Sequence, residues 1–324
     1  MEIVAAGKEH AEGIAEIFRL AYNGRYPDAD FTDPELIGRN IISGNRIFRV
    51  ALEKGRVIGT MSGSLNPWNM SYEGGRLVVH PEFRGKNLGI TMHGLIREQA
   101  TSMGYDMVYY TVRDRIGIKA VEERLEFTLC GYLPGKHRLY HRENHPFYLS
   151  ASAGFDDRRP GCAANPIYET RLVRDILKQL TLMRKTVPYP TETLVGPPGG
   201  TTLTLQSGSL RYHCQETEDF VEILGVEGDP SVLLSELIQG SKSAIPEVLQ
   251  RACYFELDLM ADKTEIMEKL GELGFSPFVF LPGWHLKEGK RYDCVRLVLR
   301  EPYGADPIIR SAVRRVEEGL GRRS

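Results

Sequence analysis

Glu73-Gly74-Gly75-Arg76-Leu77-Val78-Val79-His80-Pro81-Glu82-Phe83-Arg84-Gly85-Lys86-Asn87-Leu88-Gly89-Ile90 reads as an apolar strand, a proline, a turn of glycine and cations, and the start of a helix. The helix carries apolar residues at Leu88, Met92, Leu95, Ile96 and Met103. A strand that feeds a glycine-bearing loop into a helix is a device for holding anions. The N–H groups of the first helical turn have no partner within the helix, and the helix dipole adds positive potential there. Arg84 and Lys86 add full charges, while Gly85 and Gly89 let a ligand approach the backbone without meeting a Cβ. The stretch therefore predicts a phosphate or pyrophosphate site. It is not a P-loop, because no Gly-Lys-Ser/Thr follows, and it lacks Gly-x-Gly-x-x-Gly.

The spacing resembles motif A of the GNAT acetyltransferase superfamily, Glu-hydrophobic-x-x-Leu-x-Val-x-Pro-x-x-Arg-Gly-x-Gly-x-Gly/Ala. Glu73, Leu77, Val79, Pro81, Arg84, Gly85 and Gly89 fall at matching positions. Gly74 stands where a β-branched residue is usual, and Asn87 replaces the middle glycine. Asn tolerates a left-handed backbone better than most residues, so the loop is expected to survive.

Composition bounds the rest. A chain of 324 residues, 42% hydrophobic and 26% charged, predicts a globular protein of two domains. A net charge of −2 argues against a general nucleic-acid or anionic-membrane binder. Cys130, Cys162, Cys214, Cys253 and Cys294 are odd in number and lack Cys-x-x-Cys spacing, which favours reduced thiols in a cytoplasmic protein over a disulfide framework or zinc site. The first residues show no basic region ahead of an apolar run, so no signal peptide is expected. No run reaches the roughly 18 apolar residues of a membrane span.

In chain order the pattern predicts a strand at 2–6, helices at 11–22 and 34–43, a hairpin of 46–53 with 57–65, the motif strand and helix, a strand at 105–112, a helix at 117–125 and an extended segment at 131–140. This succession is the layout that the resemblance implies: an α/β (α+β) fold with a mixed central sheet flanked by helices, over residues 1–145. Residues 146–203 are rich in glycine and proline around one helical stretch, 168–183, and read as a linker.

The last third repeats the first. Leu133-Pro134-Gly135-Lys136-His137 returns as Leu281-Pro282-Gly283-Trp284-His285, an offset of 148 residues (281 less 133). At that offset Phe127 meets Phe275, Thr128 meets Ser276, Leu125 meets Leu273 and Asp114 meets Asp262. We therefore expect a tandem duplication whose second copy, 204–305, is degenerate. Its motif strand would be 221–226 and its helix 231–238, but the intervening Glu227-Gly228-Asp229-Pro230 is acidic and would repel a pyrophosphate. Residues 306–324 read as a basic, solvated amphipathic helix. The two halves would form an internal pseudo-dimer in a monomer, or the chain a homodimer.

The resemblance implies acetyl-CoA (or another acyl-CoA) as co-substrate and a small amine or amino-acid-like acceptor. The backbone of Leu77, Val78 and Val79 would pair with the pantetheine arm, and that of Arg84, Gly85, Lys86, Asn87, Leu88, Gly89 and Ile90 would cradle the pyrophosphate. A bulge would part the motif strand from the next one and open a V for the thioester. Glu73 occupies the position of a glutamate that serves as base in some relatives; the alternative is a surface glutamate at a strand start. The relatives' acidic tyrosine falls on Glu122, which donates a proton near neutral pH only if burial raises its pKa. Tyr109, Tyr110 and Tyr132 are further candidates, and the catalytic candidates are Glu73, Glu122 and Tyr132. Of His137, His141 and His145, the layout that the resemblance implies puts at least the first two on a strand, where residues four apart are roughly 13 Å distant, so ordinary polar histidines rather than a metal site are expected. Trp68, Met70 and Tyr72 fit either an acceptor pocket or core packing. The missing tyrosine and the stripped second copy support an alternative to the N-acyltransferase, a non-catalytic acyl-CoA-binding or sensing module.

Overall fold

The computed structural model describes the chain except residues 27, 113–114, 137–143, 216–219, 241–244, 301–309 and 323–324. It divides into two units, Met1–Tyr110 with Ser150–Ser152, and Thr111–Leu149 with Ala153–Ser324.

In the first unit β1 (Glu2–Ala5) leads to α1 (Ala11–Ala21) and α2 (Pro34–Ser43), followed by β2 (Arg46–Glu53), β3 (Arg56–Asn66), β4 (Ser71–Val79), α3 (Leu88–Ser102) and β5 (Met107–Thr111). The strands lie in sequence order, antiparallel from β1 to β4, with β5 parallel to β4. Local chemistry explains the boundaries. Asp33 caps α2 by accepting from the Glu35 and Leu36 amides, Pro34 occupies its first turn, and Gly44 ends it in the left-handed region. On one face of the sheet Phe18 and Ile14 of α1, with Phe31 and Ile37, pack on Phe48, Val50 and Val78. Arg49, which points the other way, donates to Gln99 and to the Leu95 carbonyl of α3. The helix takes Met92, His93, Ile96 and Ala100 into that second core.

The second unit begins with α4 (Arg115–Lys119), which widens into a π-helical turn at Ala120–Arg124, so the helix expected at 117–125 changes its winding midway. β6 (Thr128–Leu133), β7 (His145–Ala151), α5 (Phe155–Arg158), α6 (Arg171–Gln179) and β8 (Leu194–Val195) follow. Then come β9 (Thr201–Leu205), β10 (Gly208–Gln215), β11 (Phe220–Glu227), α7 (Pro230–Gln239), α8 (Glu247–Arg251) and β12 (Tyr254–Met260). The chain closes with α9 (Thr264–Glu272), β13 (Ser276–Lys287), β14 (Lys290–Arg300) and α10 (Arg310–Gly319). The sheet runs β7-β6-β13-β14-β12-β11-β10-β9, with β8 beside β12; β11 and β12 are its parallel pair.

Three expectations need correction. The segment read as a linker from residue 146 has β7 across its start, and its later part is core rather than tether. Arg159 makes a buried two-pronged ion pair with Asp293 (2.6 and 2.5 Å), and Tyr168 donates to the same carboxylate at 2.6 Å. The C-terminal helix is not a solvated tail. Ala312 and Val316 are fully buried, Arg315 pairs with Glu122, and Glu317 accepts from Tyr132. The unit boundary falls at Tyr110 rather than near residue 145, because residues 111–149 pack with the later chain. Of the three histidines weighed for a metal, His137 and His141 lie outside the described residues, and His145 opens β7, buried. Among the described residues no helix is long and apolar enough to cross a membrane.

Candidate functional site

The site is built where β4 fails to keep its neighbours. β4 pairs with β5 only at Ser71, Tyr72 and Glu73, whose partners are Met107, Val108 and Tyr109. Beyond Glu73 the two strands part. On its other edge β4 carries a bulge: Thr60 opposes Val78 and Ser62 opposes Gly75, so Arg76 and Leu77 together face Met61. Arg76 takes the positive φ of 50° that the bulge demands. The departure from the motif at Gly74 has a steric cause, since a Cβ there would collide with the ring of Tyr110, 2.9 Å from Cε1. Tyr110 is in turn fixed by a 2.6 Å hydrogen bond to His93 Nδ1.

After β4 the chain makes one 3-10 turn, Pro81–Phe83, and enters the loop of Arg84, Gly85, Lys86 and Asn87. Gly85 (φ 79°) and Asn87 (φ 58°) are both left-handed, with open space around the missing Gly85 Cβ. Asn87 supplies no side-chain cap to α3, so the first-turn amides of Leu88, Gly89 and Ile90 carry no cap from that position. The four loop residues are exposed. Arg84 folds back to donate to the Val79 carbonyl (3.2 Å), and the Lys86 ammonium lies 4.9 Å over the Phe83 ring. Leu77, 46% exposed, lies across Gly89, where a Cβ would come 2.6 Å from its Cδ2. Val78 is buried in the first core and Val79 pairs with Gly59. The geometry offers an anion an uncapped helix terminus, two nearby cations and a bare backbone.

On the α1–α2 face Glu73 is 2.6 Å from Arg76, and this carboxylate, with the phenols of Tyr26 and Tyr109, holds the Arg76 guanidinium above its usual value despite burial. Register places Arg46, Ser64, Glu73 and Tyr109 in one row across β2, β3, β4 and β5. Arg46 and Arg76 both lie over the Phe31 ring, at 4.9 and 5.8 Å. Arg46, Ser64 and Arg76 were not singled out by motif reading; pairing the alternating positions of adjacent predicted strands was the signal that could have found them.

Glu122 and Tyr132 are placed elsewhere, in the second unit. Glu122 accepts from Tyr148 (2.6 Å) and Arg315. Burial, reinforced by Glu317 at 2.5 Å, raises the Tyr132 phenol well above its ordinary value. Of the other tyrosines, Tyr109 accepts from Asn66 at 3.3 Å, and burial raises Tyr110 far above the phenol range. Tyr72 is buried beside Gly63 and belongs to the core, while Trp68 and Met70 are half-buried in the turn before β4. Among the described residues no cluster of His, Cys, Asp or Glu has the geometry of a metal site.

The model of the acetyltransferase (GNAT) family matches residues 11–122. No curated protein matches. Among solved structures, a ribosomal-protein-alanine N-acetyltransferase from Brucella melitensis is 18% identical, covering 47% of this chain and 99% of its own, with a TM-score of 0.40. The PaiA N-acetyltransferase from Thermoplasma acidophilum in complex with coenzyme A is 15% identical over 47% of this chain and 99% of its own, with a TM-score of 0.37. An aminoglycoside 6'-acetyltransferase of type Ii is 16% identical, with coverages of 47% and 97% and a TM-score of 0.40. The motif read from Glu73 to Gly89 lies within the matched span, so residues 11–122 are the part of the chain that is similar to the acetyltransferase (GNAT) family.

Proposed function

We propose that the first unit is an N-acetyltransferase that moves the acetyl group of acetyl-CoA to the amine of a small acceptor. The observation that carries this reading is the left-handed Gly85–Asn87 loop ahead of the uncapped α3, set beside the point where β4 leaves β5. The pyrophosphate would rest on the amides of residues 84–90, and the pantetheine arm would run along Leu77, Val78 and Val79 with its thioester in the V. A neutral amine nitrogen attacks the thioester carbon, and the carbon–sulfur bond breaks. The nitrogen loses a proton, and the leaving sulfur ends as a thiol. Glu73, aimed by Arg76, is the group suited to receive that proton, directly or through water. Glu122 and Tyr132, engaged as described, are given no part in the transfer.

The same reading treats residues 204–305 as a second, degenerate copy without a donor site. Its support is conformational as well as sequential. At the 148-residue offset the β11 bulge at Leu224 matches Arg76, left-handed Gly274 matches left-handed Glu126, and left-handed Gly283 matches left-handed Gly135. The loop itself is reduced from residues 80–87 to residues 228–229. Asp229 turns its own carboxylate onto the α7 terminus, accepting from the Ser231 and Val232 amides where an anion would have to bind.

Calorimetry tests the donor site. The wild type is expected to take up one acetyl-CoA per chain. Arg84→Glu with Gly85→Val, which inverts a charge and forces a β-branched residue to φ 79°, should weaken binding about 100-fold or more. Unchanged affinity, or two equivalents per chain, would overturn the reading. Thiol release with an amine panel separates enzyme from sensor, because binding without turnover favours the non-catalytic module.

A further inference from the structure

The row Arg46–Ser64–Glu73–Tyr109 has a feature that proton transfer does not use. Nη1 of Arg46 and Oγ of Ser64 are enclosed and meet no hydrogen-bond partner, although they stand on paired positions of β2 and β3. Arg46 is anchored at its other end, where Nη2 lies 2.9 Å from Asp30 and the guanidinium plane covers Phe31. An enclosed donor and hydroxyl left unsatisfied cost stability, which a ligand acceptor group would recover. Solvent reaches the row, since 19% of the Arg46, 21% of the Glu73 and 24% of the Arg76 side chain remain exposed.

We infer that the acceptor is a zwitterion, an amine carrying a carboxylate several bonds away, with the carboxylate read by Arg46 and Ser64 and the amine by Glu73. The inference rests on the acetyl-transfer reading above and deepens it. Charge order supports it. Along the row a cation and a hydroxyl donor come first and a carboxylate follows, which complements an anion and an ammonium in that order. Adjacent strands are about 4.8 Å apart, so the Arg46 and Glu73 backbones, two strands apart, are separated by about 10 Å, a span that short amino acids can bridge with the arginine's reach. Arg46 is suited to the task because its planar fork keeps one edge on Asp30 while offering another. Acetylation converts the ammonium to a neutral amide and removes half of this complementarity, which assists product release.

The test is calorimetric, so it does not depend on turnover. 5-Aminopentanoate and pentylamine, which differ by the carboxylate, are titrated into the protein saturated with coenzyme A. The wild type should bind 5-aminopentanoate roughly tenfold more tightly or better. Arg46→Gln should abolish that preference, Arg46→Lys should keep part of it, and Ser64→Ala, which adds no bulk, should reduce it with the fold intact. Equal affinities, tighter binding of pentylamine, no binding of either probe, or a preference that survives Arg46→Gln would overturn the inference. Failure of the donor reading appears separately, as absent acetyl-CoA binding.

Discussion

His93 shows how one residue's environment sets a property of the whole unit. It lies on the buried side of α3, bonded to Tyr110, which occupies the space that Gly74 leaves. Burial first, with Arg97 second, lowers His93 from an ordinary value of 6.5 to about 4. The unfolded chain takes up this proton near pH 6.5, whereas the folded chain takes it up only near pH 4. Between those values the unfolded state binds more protons. The stability from His93 is therefore complete above pH 6.5 and falls as the pH drops towards 4, by up to about 3 kcal/mol. Urea midpoints at pH 7.5 and 4.5 should show this loss in the wild type and a smaller one in His93→Gln. Equal losses in both proteins would remove His93 as the cause. Gly74 read as a blemish in the motif; its partner is 36 residues further along the chain, beyond the reach of local pattern.

At the scale of elements, β6 and β13 are the matching strands of the two proposed copies, and within the second unit they pair antiparallel at Gly131 and Val279. Those two residues are themselves 148 apart, so under the proposed duplication the two segments would meet at equivalent positions, as a local two-fold axis requires. The contact leaves no room for a side chain. A Cβ on Gly131 would collide with the Phe278 carbonyl oxygen and lie 2.6 Å from Val279 Cα, and its φ of 155° suits glycine. Gly131→Ala should therefore cost about 3 kcal/mol or more, well beyond the roughly 1 kcal/mol of an ordinary backbone preference. Thermal unfolding measures it, and a change below about 1 kcal/mol would mean that the strands separate easily. Nothing in the local sequence distinguishes Gly131 from a turn glycine, because the atom it avoids belongs to a strand far along the chain.

At the scale of the molecule, the second unit is tied together through a carboxylate that joins distant segments. Asp293 on β14 receives Arg159, Tyr168 and the Gly283 amide, all buried. Burial disfavours the Arg159 charge, but Asp293 outweighs it and the guanidinium stays above its ordinary value. Arg159→Met leaves Asp293 enclosed without its cation and should destabilise the unit by about 3–5 kcal/mol, with Arg159→Met/Asp293→Leu recovering part of the loss. Denaturant unfolding of the full chain checks both. A single variant that unfolds like the wild type would show that the segment at 154–190 is a tether after all.

What depends on neighbours along the chain can be read from the residues in order. The motif from Glu73 to Gly89, the strands and helices of the first 110 residues, and the 148-residue offset all rest on local spacing and turn chemistry, so they were legible without coordinates. Tertiary structure decided what depends on residues brought together from afar. It gave Glu122 to Tyr148 and Arg315, and Tyr132 to Glu317, which withdrew both from the proposed chemistry. It turned a breaker-rich stretch into core through one buried ion pair, and it aligned Arg46, Ser64 and Glu73 across three strands. The physical reason is the same in each case. Glycine, proline and hydrophobic period record how a backbone bends, whereas the partner of a charge or hydroxyl is chosen by register and packing that no short window contains.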